Sequence, residues 1–156
     1  MSKPAAVKPP HAQLDELPSW PGKTVAMLAT SSPHPHVIPV SAPVRADGRT
    51  ILLSLRRTRG SLARLRDQPA VALLFLAEGD IAFTAHGTAQ VVEEPMAVAV
   101  DYAAVQIAVQ AIDDHRQAEF HVTGGVDRSW IDDQEQRALR ERVQALNARA
   151  ADMART

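Results

Sequence analysis

The sequence predicts a mainly β domain. It is a small six-stranded antiparallel barrel, closed or split, with one short helix after the third strand and a longer helix at the C-terminus. Three observations carry this. Short apolar runs rich in Val, Ile, Leu and Ala recur at close spacing. Gly, Pro and Asp punctuate them, as turn residues do. Only two stretches carry convincing helical spacing. Closing such a sheet removes the unpaired edges that template aggregation.

The first strand is expected over Thr24–Ser31, between Gly22 and the breaker run SPHPH. The second, His36–Gly48, ends on Asp47-Gly48, a hairpin dipeptide favoured because both positions tolerate positive φ. Arg49–Leu55 returns as the third. Ser61–Asp67 then reads as a short helix, with Ser61 as its cap and Pro69 just beyond its end. Ala70–Ala77 is the fourth strand, Glu78–Asp80 a turn and Ile81–Glu94 a long fifth strand. Gly87 in its middle signals a bulge or bend. Ala103–Ile112 is read as the sixth strand, with a helix as its rival because Ala and Gln favour one. The last helix is expected from about Asp132 to Ala150. Its apolar stripe is Leu139, Val143, Leu146 and Ala150, and Asp132 and Asp133 suit the positive end of its dipole. It reads as a lid docked on the barrel.

The 156 residues fit one domain. Residues 1–12, MSKPAAVKPPHA, are expected to be a disordered tail, 13–131 the barrel and 132–156 the docked helix. The tail lacks the apolar core of a signal peptide. No apolar run approaches the ~20 residues of a membrane span, so a soluble cytoplasmic protein is expected, with no membrane partner. The net charge of −1 argues against a broadly basic nucleic-acid binder. The absence of cysteine excludes disulfides, thiolate catalysis and cysteine-held metal.

Against this near-neutral background, five of the fourteen arginines fall within the twelve residues Arg56–Asp67. The third strand ends there and the short helix begins, so free backbone N–H groups are expected to accompany Arg57, Arg59 and Arg64. Ser54, Thr58 and Ser61 add hydroxyls, and Gly60 lets a ligand approach the backbone. Guanidinium groups suit phosphate because they donate in a fixed fork. A solvated basic helix face is the plainer reading, and Arg66 fits it. A nucleic-acid patch is the third, but aromatics make up only 4% of the chain. The preceding stretch, HPHVIPVSAPV, carries Pro39 and Pro43, which cannot donate to a ladder and so mark an edge. Unpaired backbone groups on such an edge suit a planar heterocycle. Phosphate donors beside them make a cradle for flavin mononucleotide (FMN).

The histidines offer less. His115 and His121 stand among Asp113, Asp114 and Glu119, but the spacing matches no familiar metal motif. A polar loop at the ligand mouth is the preferred reading. His86 reads as a satisfied barrel histidine, and Trp20 as a cap on the barrel. No Ser-His-Asp or paired-carboxylate constellation appears. A flavin protein needs none, because the cofactor carries the chemistry.

Three segments in order resemble the pyridoxamine 5′-phosphate oxidase-like, FMN-binding split barrels. They are LATSSPHPHVIPV (Leu28–Val40), ILLSLRRTRGSLARLRDQPAVALLFL (Ile51–Leu76) and HGTAQVVEEP (His86–Pro95). The resemblance implies a six-stranded split barrel, a homodimer, and FMN at the subunit interface. It implies that Pro35, His36, Val37, Ile38, Pro39 and Val40 face the flavin. Ser54 and Leu55 would add contacts, and Arg59, Gly60 and Ser61 would form the phosphate loop. The chain departs from the family where many members carry Lys (here Ser61), Asn (here Arg64) and a strand-five Gln (here Ala82). Trp130 matches the C-terminal Trp/Arg signature of true pyridoxamine phosphate oxidases by residue type only. The implied activity is an FMN-dependent oxidoreductase acting on reduced nicotinamide or a small organic substrate. Alternatives on the same fold are an F420-dependent reductase, a flavin or haem carrier or sensor, and a dimeric interaction module. With haem, His86 or His121 would be axial ligands.

Overall fold

A computed structural model describes residues 12–156, so the expected tail and His11 lie outside them, apart from Ala12. The elements are β1 (Ala12–Gln13), β2 (Val25–Thr30), β3 (His36–Ser41), β4 (Val44–Asp47), β5 (Thr50–Arg56), α1 (Ser61–Asp67), β6 (Ala70–Ala77), β7 (Ile81–Glu93), β8 (Tyr102–Asp114) and α2 (Asp133–Ala154). All strand pairs are antiparallel, in the order β3-β2-β6-β7-β8-β5-β4, with β1 added to β8.

That order forces the sheet to curl. β3 and β4 lie at opposite ends of the sheet path, yet only Ala42 and Pro43 separate them in the chain. The two edges must therefore come together at one corner, which makes a split barrel. Ala42 turns this corner with φ 52, in the left-handed region. Its N–H donates to the Thr24 carbonyl at 2.9 Å. Trp20 covers the corner, its Nε1–H donating to the Pro43 carbonyl at 2.9 Å.

The strand count departs from six because of this corner. The expected strand His36–Gly48 is two strands, since Pro43 has no N–H for a ladder and the chain changes edge there. The short β1 is an addition. Ala103–Ile112 is strand, not helix, because it pairs with β5 on one side and β7 on the other, and tertiary pairing outweighs the propensity of Ala and Gln. The ladder slips between His86 and Gly87, the expected bulge. At the β4–β5 hairpin the turn falls where expected but works differently. Gly48 is not among the positive-φ residues; instead the Asp47 carboxylate accepts the Arg49 N–H at 2.8 Å.

The inner face is closed by Leu28, Ile51, Leu53, Phe75, Phe83, Val105, Ile107 and Ile112, each almost wholly inaccessible. Phe75 and Phe83 stack at 4.6 Å, and Trp20 lies 4.4 Å from Phe75. Each such side chain contributes about 1.5–3 kcal/mol by burial. A second apolar cluster lies outside the barrel, where α2 brings Leu146 and Val143 onto Val44, Leu52, Met96 and Ala104. Asp132 caps α2, accepting the Gln134 and Glu135 N–H groups. No helix among the described residues is long and apolar enough to cross a membrane.

Candidate functional site

β3 is the terminal strand of the sheet, as Pro39 within it predicts. Beside it the end of β5, the start of α1, the start of β8 and one turn of α2 enclose a recess of about 450 Å³. That lies within the usual range for small-molecule sites. From β3 the recess takes His36, Ile38, Pro39, Val40 and Ser41; from β5 it takes Ser54, Leu55 and Arg56. Arg59, Ser61, Tyr102 and Arg142 complete it.

Three of these residues are arginines and none is Asp or Glu. Arg56 donates from Nη2 to Tyr102 Oη at 2.9 Å. Arg142 stacks its guanidinium 3.7 Å from the Tyr102 ring centroid and donates from Nε to Ser54 Oγ at 3.2 Å. Burial, and to a smaller degree the nearby Arg56 charge, press the Arg142 guanidinium below its ordinary value, against favourable contributions from Tyr102 and Glu135. A recess lined by like charges without a counter-charge favours an anionic occupant.

The remaining expected residues lie elsewhere. Pro35 precedes β3 and does not line the recess, and Val37 points outward, 61% exposed. Arg57 is turned away, its Nε on Glu94 Oε2 at 3.2 Å and its Nη1 on the Val100 carbonyl at 3.1 Å. Arg64 donates to the Ser32 carbonyl at 3.3 Å. Arg66 pairs with Glu94. Hydrogen bonds from Arg66 and then Arg57 hold the Glu94 carboxyl below the usual carboxylate range. Thr58 and Gly60 are exposed and do not line the recess. Gly60, at φ 81, is the residue before α1. It replaces Ser61 as the cap: Ser61 is the first helical residue, is buried, and makes no capping bond.

Ser41, Tyr102 and Arg142 also line the recess and were not expected there, while Arg56 was counted in the arginine cluster without being assigned to the site. For Arg142 a signal existed. It lies three residues after Leu139 and four before Leu146, on the helix's apolar stripe, where an unpaired charge is unusual.

His86, His115 and His121 do not line the recess. His86 Nε2 lies 2.8 Å from Asp113 Oδ2, and His115 Nε2 lies 2.6 Å from Thr84 Oγ1. His121 Nδ1 lies 3.1 Å from Asp80 Oδ2. The Val122 N–H and then His121 hold the Asp80 carboxyl below its ordinary value. Among the described residues no three His, Asp or Glu converge as a metal-binding group. A second recess, about 420 Å³ between α2 and residues 126–130, contains none of the expected site residues.

Fold and recess together define a class: small split β-barrels with a cationic recess against an edge strand. The chain belongs to the pyridoxamine 5′-phosphate oxidase family, whose model it matches over residues 12–151. Among solved structures it is similar to a candidate pyridoxamine 5′-phosphate oxidase from Listeria innocua. That match has 14% identity and a TM-score of 0.50, covering 60% of this chain and 89% of the other. HupZ of Group A Streptococcus matches at 18% identity and a TM-score of 0.50, covering 68% of this chain and 90% of its own. These likenesses concern the fold. No curated protein matches the chain at a comparable level.

Proposed function

We propose that the protein is an FMN-dependent oxidoreductase acting on reduced nicotinamide or a small organic substrate. The observation that carries this reading is the recess with three arginines and no carboxylate, set against a proline-bearing edge strand. In this reading Arg59 and Ser61 hold the phosphate. His36, Ile38, Pro39 and Val40 line the ring on one side, and Ser54 and Leu55 add contacts at the end of β5. Arg57 and Arg64 serve indirectly: bound to Glu94, Val100 and Ser32, they fasten both ends of the loop that carries Arg59. A loop held in advance loses less entropy when it binds. The bound flavin would supply the redox chemistry, and the recess residues would bind and orient it.

A homodimer is part of the proposal. Val37, Phe120 and Ile131 are exposed apolar side chains, at 61, 56 and 101%, and a second copy would cover them. Light scattering on the purified protein should give twice the chain mass; a monomer at micromolar concentration would remove this part.

One observation favours a second reading. Three arginines exceed what a single phosphate needs, and the deazaflavin F420 carries a longer anionic tail. The absorbance spectrum of the protein as purified, with the mass of whatever heat releases, separates the two. The proposal expects the spectrum and mass of FMN, with bleaching on addition of NAD(P)H or a candidate substrate. A colourless protein that takes up no added FMN would refute it. A bound flavin that nothing reduces would leave a carrier.

A further inference from the structure

Arg142 is 7% exposed, on a helix face otherwise occupied by Leu139, Val143 and Leu146. A guanidinium has five N–H donors and no acceptor, and burying it without a counter-charge is costly. Among the described residues it makes one side-chain hydrogen bond, from Nε to Ser54, and stacks on Tyr102. No described carboxylate lies within ion-pair distance of it. A packing role alone would be met by Met or Leu, without desolvating a charge. Arg142 instead adds a cation to a recess already lined by Arg56 and Arg59.

We infer that Arg142 is a phosphate-contacting residue of this recess, delivered by the C-terminal helix, so that α2 is part of the binding site. The inference rests on the reading that the recess takes a phosphorylated ligand. The Nε bond to Ser54 and the Tyr102 face fix the plane of the guanidinium, and its outer nitrogens form the fork that an oxyanion accepts. The position of α2 on β4 and β5 is then linked to ligand binding, because an anion bound through Arg142 stabilises only the docked helix.

The test compares inorganic phosphate, FMN and riboflavin binding to the full chain by calorimetric and fluorescence titration. The variants are Arg142→Met, Arg142→Lys and, on the exposed face of α2, Arg137→Met. For Arg142→Met, affinity for phosphate and FMN should fall about tenfold or more, while affinity for riboflavin, which lacks the phosphate, changes less than about twofold. Arg137→Met should change none of the three. Equal losses with FMN and riboflavin would make Arg142 a packing residue and overturn the inference, as would unchanged binding of FMN and phosphate. If Arg142→Met does not fold, Arg142→Lys carries the same comparison, since a lysine cannot reproduce the fork. Wild-type protein that binds phosphate through Arg142 but no flavin would refute the flavin reading and keep this one. FMN bound equally by wild type and Arg142→Met would do the reverse.

Discussion

Arg57, Arg59 and Arg64 come from one short stretch and serve different ends. The sequence marks all three as phosphate donors, because charge density is visible in a string and side-chain direction is not. Glu94, thirty-seven residues from Arg57, decides the matter by drawing Arg57 and Arg66 outward. Arg59 is left lining the recess with Ser61. Arg59→Ala should weaken FMN binding about tenfold or more, since a charge-assisted hydrogen bond is worth ~1.5–3 kcal/mol. Fluorescence titration checks this; unchanged affinity would take Arg59 out of the site. Ser61 shows a similar lesson. A hydroxyl at a helix start reads as a cap, but Gly60 takes the capping position with φ 81 and the serine faces inward.

At the scale of elements, the strands were legible wherever one face is buried. β6 and α1 occupy the spans their apolar residues and flanking breakers indicate, and the bulge falls at the glycine that signals it. A Cβ on Gly87 would lie 2.4 Å from the Ala108 carbonyl oxygen and 2.8 Å from Ile107 Cγ2. The carbonyl cannot yield without moving the backbone of β8. Gly87→Ala should therefore cost about 1–3 kcal/mol, read as a lower urea midpoint at unchanged slope; a midpoint equal to wild type would show that the ladder tolerates the insertion. The β3–β4 corner was not legible as a break, because Ser41, Ala42 and Pro43 pass for an interrupted single strand. Only the meeting of two sheet edges shows why Ala42 adopts a positive φ. β1, two residues long, carries no pattern of its own. The contribution of α2 to the recess was hidden for another reason: its apolar stripe accounts for the helix completely, and the charged residue within that stripe drew no attention.

At the scale of the whole molecule, charge is nearly balanced overall and unbalanced locally. Among the described residues no carboxylate forms an ion pair with the arginines of the recess, while Glu94, Asp80 and Asp114 are held ionised by their partners. Arg66 and Arg57 act on Glu94, the Val122 N–H and His121 on Asp80, and Arg116 on Asp114. Each carboxyl has a folded-state value below its unfolded value of about 4. Their stabilisation is therefore fully present above that value and is lost as pH falls through the depressed folded values. Melting temperature should decline on acidification from pH 7 towards pH 3, and less steeply in Glu94→Gln, in melts followed by circular dichroism. Parallel curves would remove Glu94 as a contributor. The same charge distribution underlies the proposed function, in which the cationic recess beside the edge strand would hold a phosphorylated cofactor. A crystal structure of the protein with FMN tests that claim most directly. The flavin phosphate is expected against Arg59 and Ser61, with the ring along His36–Val40. Flavin bound elsewhere, or a recess still empty at saturating FMN, would contradict it.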